Sequence, residues 1–544
     1  MDNSLPDQVG QHGMYNPSET LETGVYEEEE YEVPEPEFSL GRDGRTRWYS
    51  TRCGNSKPKF QSVHYPGVQS VAESITSPYD CWRLFFNDIL DTIVTYTNTY
   101  IELSQEDVVK GEEANCRKLT NVVELEAFIG LLYLCGIYKS DNMSTSDLWK
   151  KDGTGVELFS YTMHHNRFSF LLEAIQFDDV RTRDERKEFD KLAPVRDLLD
   201  LFIDNCQKNY CVSDLVFIKE KYEPFRGKCS FKQYLPNSNK HYGIRMHTAM
   251  DAVMFYTFNV EIDVPNQVNG VYKLDNGFNN LVLRLSEPIL SDGRCVIVEK
   301  PCNFKLAKKL LSKRTYLVGK LSTGETEIPE HFLQAHRNQV QIAYTDDCTL
   351  VSTPKKNHCS VLVSTRTDEV AEDLGQFVTV VNRMVKCVHD NDACIRFISK
   401  DNNRWPMVVF YSLLNIASQN SLIISRCNGK EIESRKDFVR ELAMSLVHNH
   451  LVANMENPAL AFIVKTRISK ITRKEIPMQS LQFNSEEGTL AYRCHECPTR
   501  RKKKTKNQCK DCKKPLCLEH LVKICQSCYT RQSGQPPRDD QSLF

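Results

Sequence analysis

Chemistry-bearing residues crowd the end of this chain, in "YRCHECPTRRKKKTKNQCKDCKKPLCLEHLVKICQSCY", residues 492–529. Seven of the 21 cysteines and two of the 14 histidines fall there. They fall into pairs separated by two residues: Cys494 and Cys497, Cys509 and Cys512, Cys517 and His520, Cys525 and Cys528. Eight such donors satisfy two tetrahedral zinc ions, and the two-residue gap lets both side chains of a pair turn toward one ion. A segment this short cannot bury a sufficient core, so metal must supply the folding energy. His495 stands outside the pattern and reads as a bystander.

Two arrangements satisfy the spacing. Sequential pairing joins the first two pairs and the last two. Interleaved pairing joins the first with the third and the second with the fourth, a cross-brace. The cross-brace is favoured, because the pair spacings resemble those of RING- and PHD-like fingers. Between the first two pairs runs a basic loop of Arg500, Arg501, Lys502, Lys503, Lys504 and Lys506. Zinc would hold its ends still, so the charges project together toward the phosphates of double-stranded DNA. The same run reads as a nuclear-import signal, which places the protein in the nucleus.

The rest of the chain must position this tip. Its 544 residues imply several domains. The net charge of −2 averages two opposite ends. Residues 1–40 hold eleven Asp/Glu and no Lys/Arg, whereas residues 493–532 hold twelve Lys/Arg against three Asp/Glu. The polar, acidic start has no secretory core, and the apolar run Ala127–Tyr138 is too short to span a bilayer. A soluble intracellular protein with no membrane partner is expected. The cysteines outside the tail read as small buried hydrophobes.

Residues 1–65 read as a disordered acidic region, because like charges and prolines cannot bury a core. Ser77 and Pro78 open a helix, with Leu84, Phe85, Ile89 and Ile93 recurring at helical spacing. Further helices are expected over 122–138, 162–177 and 193–208. His164 and His165 are adjacent on such a helix, point apart, and read as surface or packing residues. The period changes at Tyr242–Ala252, a strand, followed by a second strand and then Arg294–Lys300. A helix over Phe304–Lys313 and a strand over Thr315–Leu321 complete an α/β layer with a mixed sheet. Near 405 the chain turns helical again, in a segment apolar on most faces and therefore buried. Ser434 and Asp437 mark the start of the next helix.

Several stretches resemble piggyBac-type transposases. They are "FRGKCSFKQYLPNSNKHYGIRMHTAMD", "YLVGKLSTGETEIPEHFL", "NNRWPMVVFYSLLNIASQNSLII" and "SRKDFVRELAMSL", together with the terminal cysteine pairs. The resemblance implies an α/β fold: an RNase H-like mixed sheet over 243–405, with an insertion near 322–376. It further implies a helical dimerisation and DNA-binding domain built from 66–242 and 406–465. A linker over 466–491, a small C-terminal cross-brace zinc domain over 492–530 and a disordered tail over 531–544 complete the chain. A homodimer follows from the same likeness.

Members of that family cut and paste DNA at TTAA sites with three Asp residues and Mg²⁺. The likeness puts the remnant of this triad at Asp251, Glu299 and Asp390. Each of the last two departs from the pattern. Glu299 stands where the family has Asp, followed by Lys300, Pro301 and Cys302. An ungapped count back from Trp405 puts Cys387 in the third slot, and only a gap brings Asp390 there. A thiol is a poor ligand for so hard a cation. Lys219 also stands where the family usually has Asp, just before Glu220. The resulting reading is a domesticated DNA-binding protein without cut-and-paste activity. Its competitors are an active Mg²⁺-dependent transposase and a chromatin or protein adaptor working through the acidic N-terminus.

Overall fold

The computed structural model describes residues 37–51, 60, 65–104, 116–138, 145–234, 242–334, 340–354, 359–366, 404–477, 492–497, 503–505, 507–509 and 512–520. The chain opens with a hairpin of β1 (Phe38–Leu40) and β2 (Arg47–Tyr49), then the short β3 (Gly67–Val68). Among the described residues six α-helices follow: α1 (Pro78–Leu103), α2 (Val122–Ile137), α3 (Glu157–Thr162), α4 (His165–Ala174), α5 (Arg183–Phe189) and α6 (Arg196–Asn209). Next come β4 (Tyr210–Cys211), β5 (Leu215–Pro224), β6 (Gln233–Tyr234), β7 (Tyr242–Asp251) and β8 (Thr257–Ile262). Helix α7 (Phe278–Leu285) leads to β9 (Cys295–Cys302), α8 (Phe304–Ser312) and β10 (Tyr316–Leu321). Strands β11 (Gln341–Tyr344), β12 (Thr349–Pro354) and β13 (Cys359–Ser364) precede α9 (Trp405–Cys427), α10 (Arg435–Glu456) and α11 (Phe462–Thr472). Strands β14 (Tyr492–Arg493) and β15 (Lys504–Thr505) close the described chain.

Local chemistry explains the helix starts. The Ser77 side chain accepts from the Asp80 amide at 3.4 Å, with Pro78 in the first turn where a missing N–H costs nothing. Asn121 caps α2 and Ser434 caps α10 in the same way. The buried stripe of α1 includes Trp82, Phe85, Phe86, Ile89 and Ile93. Helix α2 is buried on every side from Glu124 to Ile137, which explains its unbroken apolar run. Gly130 lets α10 approach: a Cβ there would sit 2.7 Å from Val447 Cγ1 and 2.9 Å from the Ala443 carbonyl. Helix α9 is long and apolar enough to cross a membrane, but its side chains are buried in the core.

The helices before and after the sheet form one layer. Trp82 Nε1 donates to Tyr133 Oη at 3.0 Å, and Tyr133 Oη donates to the Leu414 carbonyl at 2.7 Å. That chain joins α1, α2 and α9. The Arg404 guanidinium, just before α9, donates to the carbonyls of Leu172, Glu173 and Ile175 at the end of α4. A helical layer assembled from both flanks of the sheet is thus present. The helix expected over 162–177 is α4, shorter at both ends and capped by His164, with the separate α3 ending just before it at Thr162.

The sheet is larger than the sequence suggests. Eleven strands run in the order β1-β2-β11-β12-β13-β10-β9-β5-β7-β6, with β8 also on β7. Strand β9 pairs in parallel with β10 on one side and β5 on the other, and the other pairings are antiparallel. Four sequence-based boundaries differ in the structure. The central strand β5 lies inside the segment read as helical, because its Lys–Glu alternation at 219–223 hides the strand pattern. The segment read as an insertion supplies β11–β13, which extend the same sheet from β10. Residues 37–51, placed within a disordered region, form the edge hairpin. Trp48 anchors it, 1% exposed, with Nε1 donating to the Glu327 carbonyl at 2.7 Å. Helix α11 likewise runs into the stretch read as a linker.

Candidate functional site

The terminal module is built on a two-stranded ribbon, with Tyr492 opposite Thr505 and Arg493 opposite Lys504. Backbone bonds then fold the cysteine pairs inward. The Cys494 amide donates to the Lys503 carbonyl at 3.0 Å, the His495 amide to Pro515 at 2.8 Å, and the Leu516 amide to Asn507 at 2.9 Å. This brings together Cys494, Cys497, Cys517 and His520, whose ligand atoms all lie within 4.8 Å of one another. Cys497 Sγ is 3.7 Å from Cys517 Sγ, and His520 Nδ1 is 3.6 Å from the sulfurs of Cys494 and Cys497.

Those separations test the fit of a metal. With Zn–S of about 2.3 Å and Zn–N of about 2.0 Å, tetrahedral geometry separates two sulfurs by about 3.8 Å and S from N by about 3.5 Å. Three of these edges match and the Cys517–His520 edge, at 3.2 Å, is slightly shorter, so these four residues could hold a zinc ion. Burial pushes the Cys517 thiol up, but the His520 ring and the Glu519 amide outweigh it and bring it to about 6. Thiolate character at neutral pH suits a metal ligand. The first cysteine pair therefore meets the third rather than the second. Cys509 and Cys512 lie in the same small cluster beside Leu516. Cys525 and Cys528 lie outside the described residues, as do Arg500, Arg501, Lys502 and Lys506. Lys503 is exposed and ion-paired with Glu519, and Lys504 sits on β15. His495 faces Glu496 at 3.3 Å and takes no part in the four-donor cluster.

The carboxylates tell a different story. Asp251 ends β7 with no exposed surface. Its Oδ2 accepts from the Ser213 amide at 2.7 Å. Its Oδ1 accepts from Ser213 Oγ at 3.0 Å and from the amides of Val253 and Met254 at 2.7 and 2.9 Å. The turn it caps includes Phe255 in the left-handed region at φ 64°. Asp251 is thus committed to holding a tight turn.

Sheet register separates it from Glu299. Val216 pairs with Asp251 on one side and with Val296 on the other. Glu299 lies three residues beyond Val296, about 10 Å along the strand and on the opposite face. One residue past the last registered pair, Ile218 with Val298, stand Lys219 and Glu299. The next residues, Glu220 and Lys300, form an ion pair across the two strands. So Glu299 is brought beside Lys219, and not to Asp251. Asp390 and Cys387 lie outside the described residues. The Glu220–Lys300 pairing escaped sequence reading, because nothing in either strand announces a parallel register between segments 80 residues apart. Asp251 and Glu299 therefore do not converge on one point.

Residues 77–422 match the family described as Transposase IS4, of the DDE type. A solved piggyBac transposase, seen by cryo-EM in a synaptic complex with hairpin DNA, is also similar. The TM-score is 0.67 at 30% identity, over 85% of this chain and 100% of that one. Fold and matches together define a transposase-class architecture. This chain belongs to the piggyBac-type transposase family.

Proposed function

We propose that the chain is a nuclear DNA-binding protein of transposase descent that does not cut DNA. Its large mixed sheet serves as an RNase H-like scaffold whose metal chemistry has lapsed. The reading rests chiefly on Asp251, whose carboxylate is spent on four hydrogen bonds on the face opposite Glu299. Phosphodiester cleavage by two metals needs carboxylates converging on one point. The terminal module is the preserved part. Its four-donor cluster takes one zinc, and Cys509, Cys512, Cys525 and Cys528 take a second in a cross-brace. The basic loop between the first two pairs then meets duplex phosphates. The similar piggyBac structure was captured with hairpin DNA, which supports a duplex partner. A homodimer and nuclear import through the basic run complete the proposal.

Two measurements on the zinc-replete full chain test it. Binding to a mixed-sequence duplex should weaken by about 10³ between 50 and 200 mM salt, as expected for five or six phosphate contacts. With Mg²⁺ and TTAA-flanked ends, no strand cleavage should appear. Cleavage that disappears in Glu299→Gln would overturn the proposal, and so would a protein with no duplex affinity at low salt.

A further inference from the structure

We propose that lysines have replaced divalent cations at the tip of the central sheet, where β5 and β9 run side by side. This inference rests on the nuclease-free reading and supplies its electrostatic cause. Three acids and three lysines alternate at this tip: Lys219, Glu220, Lys221 and Glu223 on β5, and Glu299 and Lys300 on β9. Their formal charges cancel. Lys300 crosses to Glu220, Lys221 Nζ reaches Glu223 Oε1 at 2.7 Å, and Lys219 and Glu299 directly follow the last registered pair, Ile218 with Val298. Lys221 also reaches Ser412 Oγ on α9 at 3.4 Å, which holds its ammonium against the helical layer.

Among the described residues, the neighbouring charges do not restore a negative surplus. Arg245 on β7 is ion-paired with Asp263, and His247 faces Glu220 in the register while being 5% exposed. Burial pushes the Glu220 carboxyl up, but bonds from Lys300 and Tyr222 leave it below the usual carboxylate range. A Mg²⁺ ion needs hard oxygen ligands with excess negative charge. Here it would meet carboxylates already neutralised by ammonium groups, each of which repels it. Strand order and register, rather than loop chemistry, place those ammoniums, so they are fixed features of the folded sheet.

Mn²⁺, a spectroscopic stand-in for Mg²⁺, tests the idea by electron paramagnetic resonance on the zinc-replete full chain. Wild type should take up no Mn²⁺ below about 1 mM. The Lys219→Asp/Lys300→Asn double variant should gain a site at least about tenfold tighter, lost again on adding Glu299→Gln. If the double variant does not fold, Lys300→Asn alone serves, since the Lys300 side chain is 41% exposed and its loss frees Glu220. That variant should also tighten Mn²⁺ binding, by a few-fold. Wild-type Mn²⁺ binding below about 100 µM that vanishes in Glu299→Gln would overturn the inference. So would folded lysine variants that gain nothing. Duplex binding measured on the same samples separates the two claims: its absence in wild type would sink the proposed function and leave the Mn²⁺ result standing.

Discussion

Stripping zinc, or replacing Cys517 with Ser, is expected to unfold the terminal module and lower duplex affinity by tenfold or more, leaving the main body's melting unchanged. Among the described residues the module's buried cluster is Cys494, Cys509, Leu516 and Cys517, with Leu516 its one aliphatic side chain. An interior of that size cannot offset the entropy of ordering the segment, on the order of 1–2 kcal/mol per residue. Metal bonds must supply the difference, and structural zinc in small fingers contributes about 10–16 kcal/mol. Acid should act like a chelator. The Cys517 thiol, raised by burial but lowered further by His520 and the Glu519 amide, sits at about 6. Without metal its thiolate is protonated below that pH; bound zinc competes with the proton, so zinc should be released only on further acidification. Zinc content and amide hydrogen exchange of residues 492–520 in the full chain follow both effects. Native-like protection of that segment without metal would refute the expectation.

The second large effect concerns Arg167→Met, which should destabilise the helical layer by about 3–5 kcal/mol. Arg167 and Glu124 are each 4% exposed. Two parallel bonds join them, Nε to Oε1 at 2.9 Å and Nη2 to Oε2 at 2.6 Å. The guanidinium also ties down the carbonyls of Cys116, Lys118 and Leu119, while Thr120 Oγ1 donates to Glu124 at 2.8 Å. Removing Arg167 strands a buried carboxylate and three carbonyls together. Replacing both partners, as in Arg167→Met/Glu124→Met, should recover a large part of the loss, because no unpaired charge remains. Burial pushes the Glu124 carboxyl up, but Arg167 and Thr120 outweigh it and hold it below its ordinary 4.5. The pair's contribution is therefore complete above about pH 4.5 and is lost as pH falls further. Urea denaturation of the three proteins decides it. A single variant within about 1 kcal/mol of wild type would mean the pair is no keystone.

Some of this molecule could be read from residue order alone. Capping serines at 77 and 434, the strand of Tyr242–Asp251 and the helix beginning at Phe304 are specified by neighbours a few residues away. Paired metal donors are equally local, since two residues of separation suffice to aim both at one ion. The likeness to piggyBac transposases was legible for the same reason, as long collinear stretches. The hairpin at Phe38–Tyr49 was not, because the acidic run before it dominates the composition, whereas Trp48 finds its pocket 279 residues away.

What the order of residues determined, then, is the inventory: helical periods, caps, metal-donor spacing and the family pattern, each set by interactions within one or two turns of chain. Tertiary structure alone decided which of those groups meet. Parallel pairing of β5 with β9 set Glu299 beside Lys219 and bound Glu220 to Lys300. Antiparallel pairing of β5 with β7 turned Asp251 to the other face and into a turn. Such registers come from side-chain packing across the whole sheet, and shifting a strand by one residue exchanges its two faces. No short stretch of chain carries that information.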